Sequence, residues 1–205
     1  LDSYGLEWNE TTDTYRRIGS ENYTAIQSLM KRCVLNADGS VKYYLDPNNS
    51  NYKEDGTLAK LDGTDGNVMV EVPKTYVRYE YSTTGGTDTV HRWEASLTPD
   101  TGFEAHWAFD RGGSIRDKRY YPAYFGYVTN GKMISRSGVY PTASQTLAQF
   151  RAAAKANSIS NPSSGQTANG YWGNIDFALY ELITLLAVIE YGTMNIQSTL
   201  GGGRT

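Results

Sequence analysis

The chain has 205 residues, with 19 basic and 22 acidic side chains and a net charge of −3; that length suits one large domain with a real hydrophobic core. The mild negative balance gives no clustered basic face, and so predicts neither nucleic acid nor an anionic membrane as partner. Cys33 is the single cysteine, which excludes an internal disulfide and a thiolate zinc cluster, and no apolar segment after a basic amino terminus reads as a secretory signal.

At the start of the chain, Tyr4, Leu6 and Trp8 alternate with polar residues, the period of a short strand. Residues 23–31 suit a short helix or turn. Val34 and Leu35, then Val41, Tyr43, Tyr44 and Leu45, flank Gly39 and predict a β-hairpin. Residues 46–66 are rich in Asp, Asn, Gly and Lys and predict an exposed loop. An EF-hand template started at Asp46 fails, because Asn51 stands where glycine is required and Thr57 where the bidentate glutamate is required. No metal site is assigned there.

Val68, Val70 and Val72 open the clearest β segment, with Pro73 marking a bend or an edge because it lacks a backbone donor. The segment runs on to Tyr81, and residues 89–96 should return antiparallel to it after the turn at Gly85-Gly86. Residues 97–113 read as a loop holding Phe103, His106, Trp107 and Phe109. A second hairpin signal is Asn130-Gly131, set between Tyr127-Val128 and Met133-Ile134, since that dipeptide accepts the positive φ angles of a tight turn. Ser144 is placed to cap a helix through about residue 157, and residues 158–170 form a polar linker before the last long element.

That element covers residues 174–200. Ile175, Leu179, Leu182, Leu186 and Ile189 recur at steps of four and three, drawing an apolar stripe along a helix. Phe177, Ile183, Leu185 and Val188 lie off the stripe, so the helix is apolar nearly all round and is expected in the core. Asn174 suits its N-cap and Gly192 its left-handed C-terminal end. The apolar run from Leu182 to Ile189 is far shorter than a membrane span of roughly 20 residues. Strands followed by helices predict an α+β fold with antiparallel hairpins, one of its two helices being a buried core helix.

The chemistry of catalysis is sparse. There are two histidines, His91 and His106, and no Gly-x-Ser-x-Gly elbow accompanies either. No phosphate-binding glycine loop with a following lysine is present. Glu181 and Glu190 are nine residues apart on the core helix, hence on opposite faces, and read as structural acids with hydrogen-bonding partners. No catalytic residue, metal ligand or cofactor is assigned. The 17 tyrosines and 4 tryptophans against 5 phenylalanines suit half-buried strands and also binding surfaces. Trp107, Tyr120, Tyr121 and Trp172 stand in or beside predicted loops and are the candidate ligand-binding residues, with core or interface packing as the alternative for each.

Several phrases taken together resemble phage and prophage tail-fibre proteins: Gly66-Asn67-Val68-Met69-Val70-Glu71-Val72-Pro73-Lys74-Thr75-Tyr76, Gly102-Phe103-Glu104-Ala105-His106-Trp107-Ala108-Phe109, Ser135-Arg136-Ser137-Gly138-Val139-Tyr140-Pro141, and Ile189-Glu190-Tyr191-Gly192-Thr193-Met194-Asn195-Ile196-Gln197 with Gly201-Gly202-Gly203. The resemblance implies a C-type-lectin-like domain over residues 1–205, a fold shared with the variable proteins of diversity-generating retroelements. It also implies a further C-terminal part beyond Thr205. Trp107 stands where the family's His-Pro-Ala-Phe phrase has proline. The cysteine pair of formylglycine-generating enzymes and the calcium motifs of lectins do not occur. What the resemblance implies is a non-enzymatic virion protein of the phage tail or fibre. Its expected partners are a bacterial surface glycan or protein receptor, other tail proteins, and its own copies, as a homotrimer. A structural collar or assembly module is the alternative, and a polysaccharide-degrading tail enzyme a third.

Overall fold

The computed structural model describes residues 3–84, 88–158 and 172–201. In chain order the strands are β1 (Tyr4–Asn9), β2 (Thr14–Gly19), β3 (Lys31–Leu35), β4 (Val41–Tyr44), β5 (Asn67–Pro73), β6 (Tyr76–Thr84), β7 (Asp88–Ser96), β8 (Glu104–Ala105), β9 (Lys118–Pro122), β10 (Tyr127–Thr129) and β11 (Lys132–Ile134). The helices are α1 (Leu147–Lys155), α2 (Phe177–Tyr191) and α3 (Ile196–Leu200), with single 3-10 turns at Gln27–Leu29 and Trp107–Phe109. Strand pairing is antiparallel throughout the described registers, so the class is α+β. No helix among the described residues is long and apolar enough to cross a membrane.

The chain divides into two compact units. The first gathers Leu1–Leu29, Pro73–Arg119 and Phe177–Thr205, and the second Met30–Val72 and Tyr120–Asp176.

The first unit is built on a five-stranded sheet in the order β2-β1-β7-β6-β8. Leu6 pairs with Arg17 and Trp93, and Trp93 with Tyr79. Because side chains alternate between faces, Tyr4, Leu6, Trp8, Tyr15, Val77, Tyr79, Tyr81, His91, Trp93 and Ala95 share one face. The other face carries Glu7, Arg16, Arg78, Glu80, Arg92 and Glu94. These charges are paired across strands: Arg16 Nε and NH2 donate to the two oxygens of Glu7 at 3.0 and 2.9 Å, Arg92 Nε to Glu7 at 2.6 Å, and Arg78 NH2 to Glu94 at 2.6 Å. Burial pushes the Glu7 carboxyl up, but the two guanidiniums outweigh it and hold the pKa below the usual range.

α2 packs across β1 and β7 on the first of these faces. Leu179, Leu182, Leu186, Val188 and Ile189 are buried, as are Tyr4, Leu6 and Ala95. The helix begins at Phe177, so Ile175 precedes it and is 43% exposed instead of lying in the core. Nor is α2 covered on every side: Phe177 and Tyr180 face solvent. Their rings lie off the stripe that the sheet covers. Gly192 ends the helix at φ 68°, the left-handed position where a side chain is disfavoured.

A buried polar chain ties the helix to the sheet. The Tyr4 hydroxyl accepts from Ile26 N–H at 3.2 Å and donates to Gln27 Oε1 at 2.9 Å, and Gln27 Nε2 donates to Leu186 C=O and Glu190 Oε2, both at 3.2 Å. Burial, with the charge of Glu190 adding to it, pushes the Tyr4 pKa up to about 12.

In the second unit β3 and β4 form the hairpin around Gly39, and the sheet order is β4-β3-β5-β9. Both faces are covered. Cys33, Leu35 and Met69 pack with Val41, Tyr44, Tyr120 and Trp172 on one side, and Val34, Leu45 and Val68 with Tyr43, Leu61, Ala123 and Tyr124 on the other. β5 thus has Met69 buried as well as Val68 and Val72. β10 and β11 turn through Asn130 at φ 49° and Gly131 at φ 73°, both positive as a primed turn requires. α1 is capped by Thr146 and not Ser144: Thr146 Oγ1 accepts from Gln149 N–H while the Gln149 side chain accepts from Thr146 N–H, a reciprocal box that fixes the start two residues later.

Residues 46–66 are turns with isolated bridges, mostly exposed. Glu54 pairs with Lys31 and Asp65 with Lys42 and Tyr43, while three other acids fix the turns of the loop itself. Asp46 accepts from the N–H groups of Asn48 and Asn49, Asp55 from that of Thr57, and Asp62 from that of Thr64. Of the linker placed at residues 158–170, all but Ser158 lies outside the described residues, as do Gly85 and Gly86.

Tyr4→Phe should lower stability by about 1–3 kcal/mol, the range for leaving buried groups unsatisfied, because Ile26 N–H and Gln27 Oε1 both lose their partner. Urea unfolding midpoints measure it, and a loss below a few tenths would show the hydroxyl to be dispensable.

Candidate aromatic binding face

α2 covers only part of the apolar face of the first sheet. Beyond Leu6 and Ala95, six aromatic side chains continue over four strands: Tyr15 on β2, Trp8 on β1, His91 and Trp93 on β7, and Tyr79 and Tyr81 on β6. The register sets them in two rows, Tyr15-Trp8-His91-Tyr81 and Trp93-Tyr79. Ring centroids are 5.1 Å apart for Trp8 and His91, 5.6 Å for His91 and Trp93, 5.8 Å for Trp93 and Tyr79, and 6.4 Å for Trp8 and Tyr15. Interplanar angles run from 8° to 31° over these four pairs. At such separations near-parallel rings overlap with an offset, the arrangement that the ring quadrupole favours.

The polar tips of the strip are fixed as well. Asp13, at φ 48° in the β1–β2 turn, accepts from Trp8 Nε1 at 3.0 Å and from the Tyr15 hydroxyl at 3.4 Å. Burial, then the nearby Asp13 carboxylate, raises the Tyr15 pKa. The Tyr79 hydroxyl meets His91 Nδ1 at 2.8 Å, and His91 Nε2 meets Glu10 Oε2 at 3.3 Å. Tyr79 and Tyr81 nonetheless remain 56% and 58% exposed. The result is a preorganised aromatic surface rimmed by the carboxylates of Glu10 and Asp13. Such stacking stabilises the sheet, and an exposed aromatic patch of this kind also marks contact surfaces.

The residues picked from sequence fall elsewhere. Trp107, in the first unit, is 54% exposed; its Nε1 donates to Glu181 Oε2 at 2.6 Å and its ring lies 6.1 Å from that of Phe177. Tyr120, Tyr121 and Trp172 belong to the second unit. Tyr120 and Trp172 come together, but as packing on Cys33, Leu35 and Met69, so the core alternative holds for both. The Tyr120 hydroxyl donates to Glu71 at 3.2 Å and Trp172 Nε1 to Ala37 C=O at 2.8 Å. Tyr121 is half-buried on β9. None of these four residues belongs to the strip.

His106 is buried and its ring is oriented at both nitrogens. Nδ1 accepts from Ala108 N–H at 3.2 Å, which leaves Nε2 to donate to Glu181 at 3.4 Å. Burial lowers the His106 pKa, with Glu181 pulling the other way. Glu181 thus receives both an indole and an imidazole N–H, and Glu190 receives the Gln27 amide. Each acid of α2 has a structural hydrogen-bond partner. Among the described residues, no group of three or more His, Cys, Asp or Glu side chains is disposed to hold a metal ion.

Comparison of the chain with protein-family models, with curated proteins and with solved structures finds no match.

The pH dependence around His106 has a definite sign. Its folded pKa lies below the ordinary 6.5, so its contribution is fully present above about 6.5 and is lost as pH falls through the folded value. His106→Asn keeps an acceptor for Ala108 N–H and should flatten the decline in unfolding free energy on that acid limb. A variant profile parallel to the wild type would remove His106 as its source.

Proposed function

We propose that the chain is a non-enzymatic phage tail-fibre or tail-tip protein with a C-type-lectin-like fold, and that it takes part in recognising a receptor on the bacterial surface. The sequence phrases around Val68, His106, Ser135 and Glu190 suggest the family. The observation that carries the binding role is the aromatic strip of Trp8, Tyr15, Tyr79, Tyr81, His91 and Trp93, in which Trp8, His91 and Trp93 stack, Tyr81 meets His91 edge-on, and Tyr79 and Tyr81 are exposed. Rigid aromatics beside fixed carboxylates suit a glycan: the rings stack on apolar sugar faces, and Glu10 and Asp13 accept from hydroxyls. Trp107 is a secondary candidate, exposed beside Phe177.

A structural collar or assembly module is the second reading, favoured by the open strand edges of the first sheet. The depolymerase reading is weaker, since Glu181 and Glu190 are each engaged in hydrogen bonds that orient structural neighbours.

Adsorption of the purified chain to bacterial envelopes, or to isolated envelope polysaccharide, tests this. Trp93→Ala and Trp8→Ala should weaken binding about five- to thirtyfold, as loss of a contact worth about 1–2 kcal/mol does, with melting temperatures confirming the fold. Unchanged adsorption in both, and in Trp107→Ala, would leave the assembly role as the better reading. Release of reducing ends from the polysaccharide would instead identify an enzyme.

A further inference from the structure

Among the described residues, no further strand pairs with the outer edges of the first sheet. β2 is the outermost strand on one side, and on the other β8 pairs with β6 at Tyr76 and Val77 alone, so among the described residues no strand pairs with the outer edge of residues 78–84. Long open edges of this kind are templates for a further strand. We propose that the β6 edge of one copy pairs antiparallel with the β2 edge of a neighbouring copy, joining the sheets head to tail. Unlike the aromatic face, this surface does not depend on the receptor reading.

Backbone geometry fixes which residues meet. Ser20 N–H donates to Ser3 C=O and Glu10 N–H to Thr89 C=O, and hydrogen-bonded and non-bonded pairs alternate along antiparallel strands. It follows that Tyr15 and Arg17 turn their N–H and C=O away from β1, while Tyr79, Tyr81 and Thr83 turn theirs away from β7. Joining the edges must therefore set members of the first group against members of the second. Side-chain parity agrees, because both groups lie on the aromatic face.

Charge then selects the register. With Tyr15 opposite Tyr81 and Arg17 opposite Tyr79 of the next copy, Arg16 falls opposite Glu80. A slip of two residues one way sets Arg16 against Arg78, a like-charge pair; the other way sets it against Ser82. The Glu80 carboxylate has room for this partner, since its own ion pairs are loose, at 3.7 Å to Arg78 and 4.0 Å to Arg92. Among the β6-to-β6 registers, one opposes Glu80 to Glu80, and another, centred on Tyr81, brings no opposite charges together. A third, centred on Tyr79, sets Arg78 against Glu80 twice but runs Tyr81 and Ser82 of each copy along the part of β6 that β8 already occupies, whereas in the head-to-tail register only Gly19, the last residue of β2, reaches Val77. In the head-to-tail register the ring strip of one copy continues into that of the next through Tyr15 and Tyr81. Such a contact closes into a ring or extends as a filament, according to the rotation between copies.

Charge reversal in the full chain tests the proposal, with light scattering after gel filtration reading the mass. The wild type should elute as a multiple of 22.7 kDa. Arg16→Glu and Glu80→Arg should each raise the dissociation constant at least tenfold, and the double variant should restore assembly. A wild-type monomer at high micromolar concentration would overturn the proposal, as would single variants that assemble like the wild type. Loss of assembly in Glu80→Arg but not in Arg16→Glu would replace it with β6-to-β6 pairing. Should either reversal lower the melting temperature, Tyr81→Pro serves instead. It removes an outward N–H that the intrachain ladder does not use, and assembly undiminished in that variant would refute the edge contact.

Discussion

A one-residue slip of β1 against β7 would bring Glu7 under α2 and turn Tyr4, Leu6 and Trp8 to the opposite side. The period of two makes such a slip all or nothing. Two independent groups hold the register. On one face Glu7 is gripped by Arg16 and Arg92 from the strands on either side, and on the other Tyr4 is locked to Gln27 and, through it, to Leu186 and Glu190 of the helix. The exposed ion pairs contribute little apiece. Glu7, with its side chain 14% exposed and two guanidiniums upon it, stands apart from that rule.

The same register explains why a binding surface exists at all. Strands of six to nine residues are longer than the part of the sheet that α2 covers. The rings of the face continue past the part that α2 covers, so the uncovered portion had to be made compatible with water. Rings with polar atoms meet that need: Trp8, Tyr15, Tyr79 and His91 direct N–H and O–H groups to Asp13, Glu10 and one another. Stacking supplies the cohesion that a covering helix supplies elsewhere.

Much of this was legible in the residues. Asn130-Gly131 announces its turn because only a few residue types accept two positive φ angles, and Leu179, Leu182, Leu186 and Ile189 announce a covered helix face by spacing alone. Ile175 does not, because an apolar residue before a helix start looks the same in sequence as one inside it. β2 escaped notice since Thr14, Arg16 and Arg17 carry little apolar signal on an edge strand. The aromatic strip is the instructive omission. Leu6-x-Trp8, Tyr79-x-Tyr81 and His91-x-Trp93 each show the strand period, but the strip exists only once the β1–β2 and β6–β7 hairpins, far apart in the chain, are paired in register. Tyr120 and Trp172 illustrate the converse, since an aromatic beside a loop is as readily the lid of a core as a contact surface.

The order in which these parts occur along the chain bears on how the protein is made. Leu6 and Leu186 belong to the same core and are separated by 180 positions in the chain. At ribosomal speeds of about 5–20 residues per second, roughly ten to forty seconds pass between them. The β1–β2 hairpin is therefore translated well before the helix that covers Tyr4 and Leu6. Nascent chains on one messenger carry this sticky hairpin in close succession, and folding helpers that shield short apolar strands have their natural client there.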